Sequence, residues 1–295
     1  MRKELNIDLT KGIARLKVVT NKLVNTNFIG NYRSVFKGRG LEFADYRPYS
    51  TNDDASMIDW KASLKSQQLL VKEFVEERNL NVFFLIDTSS KMIYSSIDKL
   101  KMEYAAELVA TLSFAISYAG DSIGFAMFND KILKYELPKF GFKSHFYLMS
   151  ALVDTKNYGD GYDLSEALKF VLTSLKESSI IIIVSDFIGL KNSWREEIKI
   201  VAKKFDVIGI MIRDPVDEEL PEYNGQVVFG DTMSSRHLIV NVDSIREKYS
   251  KYVRESEEEI NEAFVKAGAD FVMLNTDKPF VKPITDLFIR RTKKH

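Results

Sequence analysis

Two apolar runs in this chain stop abruptly in carboxylates. VFFLI at 82–86 runs into Asp87-Thr88-Ser89-Ser90-Lys91-Met92, and IIIIV at 180–184 runs into Ser185-Asp186. A third stretch, Asn157-Tyr158-Gly159-Asp160-Gly161-Tyr162-Asp163, is turn chemistry that opens a helical period. A buried parallel strand that ends this way delivers its polar groups to the rim of a sheet, where α/β proteins place ligands. Asp87 and Asp186, from different loops at one edge, are expected within a few ångströms of each other. Carboxylates and hydroxyls are hard oxygen donors and raise the question of a metal. Lys91 sits among them with three donors and no acceptor, so while protonated it does not ligate a cation.

The surrounding pattern supplies the elements that would hold these loops. Strand 81–86 precedes helix 98–119, in which Tyr104, Leu108 and Leu112 share a face while Glu107 and Val109 lie on others. Strands 122–128 and 131–136 flank the tight-turn pair Asn129-Asp130. Helices near 142–154 and 163–177, strand 179–185, helix 193–204, strand 206–212, helix 243–267, strand 270–274 and helix 279–291 complete the series. Two short strands interrupt it in an insertion at about 214–240. Strands alternating with helices predict an α/β fold with a mostly parallel sheet covered on both faces. Residues 30–80 have a different texture of Gly, aromatic and charged residues, which predicts a small β-rich front region. The expected division is 1–79 for an N-terminal helix (10–25) with that region, and 80–295 for the α/β domain.

Composition narrows the function. Hydrophobic residues make up 45% and charged residues 28% of the 295, ordinary for a globular protein. Forty-two basic residues balance forty-two acidic ones, so net charge does not point to nucleic acid. Residues 1–40 hold nine Lys/Arg against two acids, a basic arm without stacking aromatics before Phe28; no nucleic-acid partner is expected. The absence of cysteine excludes disulfides, thiolate metal sites and cysteine nucleophiles. No apolar run is long enough to span a bilayer and no signal peptide opens the chain, so the expected location is cytoplasmic. Gly141-Phe142-Lys143-Ser144 lacks the upstream glycine of a P-loop, and no Gly-x-Ser-x-Gly elbow is present. His145 and His237 are remote in sequence from the strand ends, and His295 is terminal. The expectation is that the chain is not an enzyme. The alternative is a metal-dependent hydrolase or phosphatase using Asp87 and Asp186, although Ser89 stands where an aspartate-nucleophile enzyme needs its second carboxylate.

The run from Asp87 to Met92 resembles the opening of the metal-ion-dependent adhesion site of von Willebrand factor A domains, Asp-x-Ser-x-Ser. That resemblance implies a von Willebrand A-like (Rossmann-like) domain, and Mg²⁺ ligands at Asp87, Ser89 and Asp186. It also marks two departures, with Lys91 in place of the second Ser and Tyr162 in place of the second-loop Thr. The site is therefore expected to be degenerate, without a resident metal, the ammonium of Lys91 pairing with Asp87 and Asp186; weak Mg²⁺ binding is the alternative. The front region closely resembles domain-of-unknown-function family 58. The matching residues are Ser34, Gly38-x-Gly40-x-Glu42-Phe43, Arg47-x-Tyr49, Asp53-Asp54, Ile58-Asp59-Trp60-Lys61, Val71-Lys72-Glu73-Phe74 and Glu77-Arg78, and Arg213-Asp214-Pro215 continues the match later in the chain. Members of that family are typically encoded beside MoxR-type AAA+ ATPases. The resemblance thus implies a non-enzymatic interaction scaffold or adaptor, partnered by such an ATPase and by a protein client, in assembly or maturation of other complexes. Its partner-binding residues would be Asp87, Ser89, Lys91, Tyr162 and Asp186. In the front region, Asp53, Asp54 and Asp59 beside Arg47, Lys61 and Lys72 predict an ion network fixing the small β unit against the main sheet, and Trp60 is expected in the core.

Overall fold

Near-continuous apolar runs with no polar alternation form the central strands, because each is covered on both faces. The computed structural model describes residues 42–50, 53–75, 80–176, 178–222, 225–230 and 237–292, together with Lys17, Thr20 and Tyr32. Most of the expected helix 10–25 and of the basic arm lies outside the described residues, as do Ser34, Gly38-Arg39-Gly40 and Glu77-Arg78; Lys17 and Thr20 are helical. The chain divides into two units, Phe36–Leu80 and a larger one comprising Met1–Val35 with Asn81–His295.

In the smaller unit, β1 (Glu42–Pro48) and β2 (Leu70–Val75) pair antiparallel. Helix α1 (Trp60–Ser66) lies between them in sequence, its N-terminus capped by Asp59, which accepts the backbone N–H groups of Lys61 and Ala62. Arg47 grips Asp53 through both terminal nitrogens at 2.6 Å, and Asp59 also meets Lys72 and the Tyr46 hydroxyl, each at 3.1 Å. The Arg47 fork holds the Asp53 carboxyl down at about 2, and the N-cap bonds do the same for Asp59. Asp54 accepts from the backbone of Ser56. These bonds join residues of the one unit. Trp60 departs from expectation: it is 63% exposed, and Leu64 one turn on is 82% exposed. The caps fix the rotation of α1, which directs Ser63 inward and Trp60 with Leu64 outward.

The larger unit is built on a six-stranded sheet in the order β10-β7-β6-β3-β4-β5. Here β3 is Asn81–Asp87, β4 Ser122–Phe128, β5 Ile132–Lys139, β6 Ser179–Ser185, β7 Asp206–Arg213 and β10 Asp270–Asn275. Neighbours are parallel except the β4–β5 hairpin. Helix α2 (Lys101–Ala119) follows β3, α3 (Phe142–Val153) follows β5, α4 (Leu164–Ser174) precedes β6, and α5 (Trp194–Lys204) joins β6 to β7. After β7 come the single-turn α6 (Pro215–Glu218), the hairpin β8 (Gln226–Gly230) with β9 (His237–Asn241), and the long α7 (Val242–Lys266); α8 (Val281–Thr292) ends the series. One core layer packs Phe83, Leu85, Ile181 and Ile183 of the sheet against Leu168, Ile198 and Phe264 of α4, α5 and α7. At roughly 1.5–3 kcal/mol per fully buried large apolar side chain, such layers dominate the stability of the unit.

Helix α2 is buried on nearly every side, Glu107 and Val109 included. This differs from a one-faced helix, and Glu107 is compensated there by Lys99.

Candidate functional site

The sheet order reverses between β6 and β3: the chain runs from β3 outward to β4 and β5, then crosses back to β6 on the other side of β3. Such a switch point opens a crevice at the carboxyl ends of the strands. Asp87 closes β3 there and Ser185-Asp186 closes β6, with Ile86 paired to Val184 one step before.

Backbone bonds stitch the second loop to the first. Gly159 N donates to Thr88 O at 2.8 Å, Ser90 N and Oγ both donate to Asp160 O, and Asn129 Nδ2 donates to Gly159 O at 3.1 Å. These bonds bring Tyr162 over β3 and β6. Ser185 Oγ donates to Asp87 Oδ2 at 2.7 Å and lies 3.2 Å from the Tyr162 hydroxyl, while Phe187 N donates to that same Oγ at 3.0 Å. Ser89 is buried, and its backbone N–H donates to Asp87 Oδ1 at 2.8 Å. Burial, reinforced by the charge of Asp186, pushes the Asp87 carboxyl up to about 7. Burial also raises the Tyr162 hydroxyl well above the usual phenol range, with Asp87 adding to the effect.

Lys91 does not go where expected. Its ammonium donates to the carbonyl of Ile188 and lies 4.8 Å from the centre of the Tyr162 ring, a carbonyl and cation–π environment rather than an ion pair. Gly189 holds a left-handed φ of +80°, and a Cβ there would come within 2.5 Å of Lys91 Nζ, so the third loop closes directly onto the lysine.

The cation that meets Asp186 is Lys101, at the first position of α2. Its Nζ is 2.9 Å from Asp186 Oδ2 and 2.9 Å from Asp217 Oδ2, and the side chain is 1% exposed. Burial alone would lower the lysine pKa, but the two carboxylates outweigh it and raise it. Asp186 Oδ1 takes the backbone N–H of Ile188 at 2.9 Å. Asp217 sits on α6, which Asp214 caps through Val216 N; Asp214 also gathers Ser95 and Ser96. Tyr249 on α7 donates to the carbonyls of Val216 and Asp217.

Sequence reasoning missed Lys101, Ser185 and Asp217. A signal for the first was available: a lysine at a helix N-terminus opposes the helix dipole and calls for compensating carboxylates.

A divalent ion of the adhesion-site kind needs oxygen donors with charge to spare. The four oxygens of Asp87 and Asp186 already accept from Ser89, Ser185, Ile188 and Lys101, and two ammonium groups, of Lys91 and Lys101, lie among these loops. The two carboxylates are thus shared with internal donors, while the buried Ser89 Oγ has no hydrogen-bond partner. Among the described residues no group of three or more carboxylate or imidazole side chains is placed to hold a metal.

A mostly parallel sheet in this order, with one antiparallel edge strand and three loops meeting at its switch point, defines a von Willebrand A-like domain. Within that class the chain belongs to the family described as Protein of unknown function DUF58, which matches residues 45–259. It is 22% identical over 289 residues to an uncharacterized protein of Mycobacterium bovis, covering 97% of this chain and 90% of that one. An uncharacterized protein of Mycobacterium avium is 26% identical over 123 residues, covering 41% of this chain and 72% of that one. Among solved structures, an aerotolerance-related membrane protein from Bacteroides fragilis matches with a TM-score of 0.51 and 12% identity, over 74% of this chain and 100% of that one. A von Willebrand factor type A protein from Catenulispora acidiphila matches with a TM-score of 0.41 and 11% identity, over 76% and 44%. The Bacteroides likeness shows the fold alone. No helix among the described residues is long and apolar enough to cross a membrane.

Proposed function

We propose that the chain is a non-enzymatic adaptor that works with a MoxR-type AAA+ ATPase in the assembly or maturation of other complexes. A protein-interaction role follows from a von Willebrand A-like fold in this family. The finer reading treats the edge of Asp87, Ser89, Lys91, Tyr162 and Asp186 as a degenerate metal-ion-dependent adhesion site. The observation that carries it is the placement of Lys91. The carboxylates around it are already engaged, whereas the Lys91 ammonium is held at the mouth by one carbonyl and an aromatic face. It keeps donors available for an acidic side chain of the partner. Charge reversal tests this directly: Lys91→Glu should lose co-purification with the ATPase while unfolding at nearly the native temperature. Undiminished capture would remove Lys91 from the interface.

A second reading, a metal-dependent hydrolase using Asp87 and Asp186, draws on the raised pKa of Asp87, since perturbed carboxylates gather at catalytic sites. Hydrolysis of p-nitrophenyl phosphate in the presence of Mg²⁺ or Mn²⁺, abolished by Asp87→Asn, would favour it over the adaptor.

A further inference from the structure

The ammonium of Lys101 is the most completely buried cation among the described residues. A lysine there carries two penalties, removal from water and a cation at the start of a helix. It is retained at the junction of three segments: the first turn of α2, the loop after β6 through Asp186, and α6 through Asp217. Two carboxylate oxygens at 2.9 Å from one nitrogen converge on a single point, and that convergence is the geometry of a cation site. The point is occupied by an atom of the chain itself.

We propose that Lys101 is the resident cation of this edge, a covalently fixed charge that clamps the Asp186 loop to the turn opening the insertion and makes docking here independent of divalent metal. The docking clause rests on the adaptor reading; the cation assignment does not. Three consequences follow from the positions of the groups. Asp186 is neutralised from the side of Asp217, so it is not an open ligand facing the crevice. The turn that begins the insertion is tied to the β6 loop through one nitrogen, and its backbone is held from the other side by Tyr249. Lys91 is relieved of the structural task of balancing Asp186, and its ammonium remains at the mouth for a partner.

Thermal unfolding of the full chain, monitored with millimolar MgCl₂, millimolar MnCl₂ or EDTA, tests the assignment. A cation that binds only the folded state raises the midpoint by mass action. The native chain should show the same midpoint in all three conditions. Lys101→Met, which keeps the length of the side chain and removes the charge, should unfold at a lower temperature and recover part of the loss in Mn²⁺, because Asp186 and Asp217 then face one uncompensated point. Lys91→Ser should remain indifferent to metal. If Lys101→Met does not fold, the native chain and Lys91→Ser still decide. A native midpoint that rises with Mg²⁺ or Mn²⁺ overturns the proposal, and so does a metal response gained by Lys91→Ser, which would make Lys91 the stand-in. Failure of the adaptor reading looks different. The native chain would then ignore metals as expected yet fail to capture the ATPase with or without EDTA, leaving the assignment of Lys101 intact.

Discussion

Two lysines ten residues apart do opposite work at one sheet edge. Lys101 is spent inside, shared between Asp186 and Asp217, while Lys91 is spent at the mouth on a carbonyl and a ring. Burial decides which role each takes, since a cation removed from water needs matched charge and one beside solvent does not. His145 shows the same rule applied to a base. It packs among Phe114, Phe142 and Phe146 with Ser113 Oγ at 2.8 Å from Nδ1, and burial depresses it to about 4. The folded chain therefore holds this imidazole neutral, whereas the unfolded chain protonates it near 6.5. The stability from neutral His145 is complete above that value and is lost as pH falls from 6.5 towards 4. The loss amounts to about 3 kcal/mol. Urea midpoints measured across that window should fall for the native chain and lose much of that slope in His145→Gln; an unchanged slope would exclude His145 as its source.

At the scale of elements, strand pairing sets where the loops emerge, and one glycine controls an edge pairing. A Cβ at Gly124 of β4 would meet Pro138 N at 2.6 Å and Glu136 O at 2.7 Å on β5, both backbone atoms that cannot swing aside. Gly124→Ala should cost about 1–3 kcal/mol through this overpacking, read as a lower urea midpoint; a neutral effect would mean that the β4–β5 register absorbs the methyl at its irregularity beside Ile123. The strands were legible beforehand because a parallel strand covered on both faces reads as an unbroken apolar run; β4 and β6 coincide with their expected limits at 122–128 and 179–185. The carboxylates at the strand ends were legible for the same reason. The pairing of Lys101 was not, since its partners lie 85 and 116 residues away and only the topology brings them together. Trp60 was misplaced because its apolar bulk suggests a core position, whereas the Asp59 cap rotates it outward.

On the scale of the whole molecule, the proposed recognition surface is the carboxyl edge of the six-stranded sheet. Other surfaces compete for that role. Phe140, Phe146 and Tyr118 are exposed around the end of α2 and the start of α3, and Trp60 with Leu64 is exposed on the smaller unit. Exposed apolar side chains of this size are typical of contact surfaces. The family resemblance supplies a partner class but no surface, so the choice between these faces depends on chemistry visible only after folding: engaged carboxylates, a buried clamp, and one ammonium left at the mouth. Amide hydrogen exchange of the chain, alone and with the MoxR-type ATPase in EDTA, measures that choice directly. The expected result is new protection at 88–91, 159–163 and 187–190, with residues 140–147 and 60–69 unchanged. Protection confined to those latter segments, with the three loops exchanging as in the free chain, would contradict it.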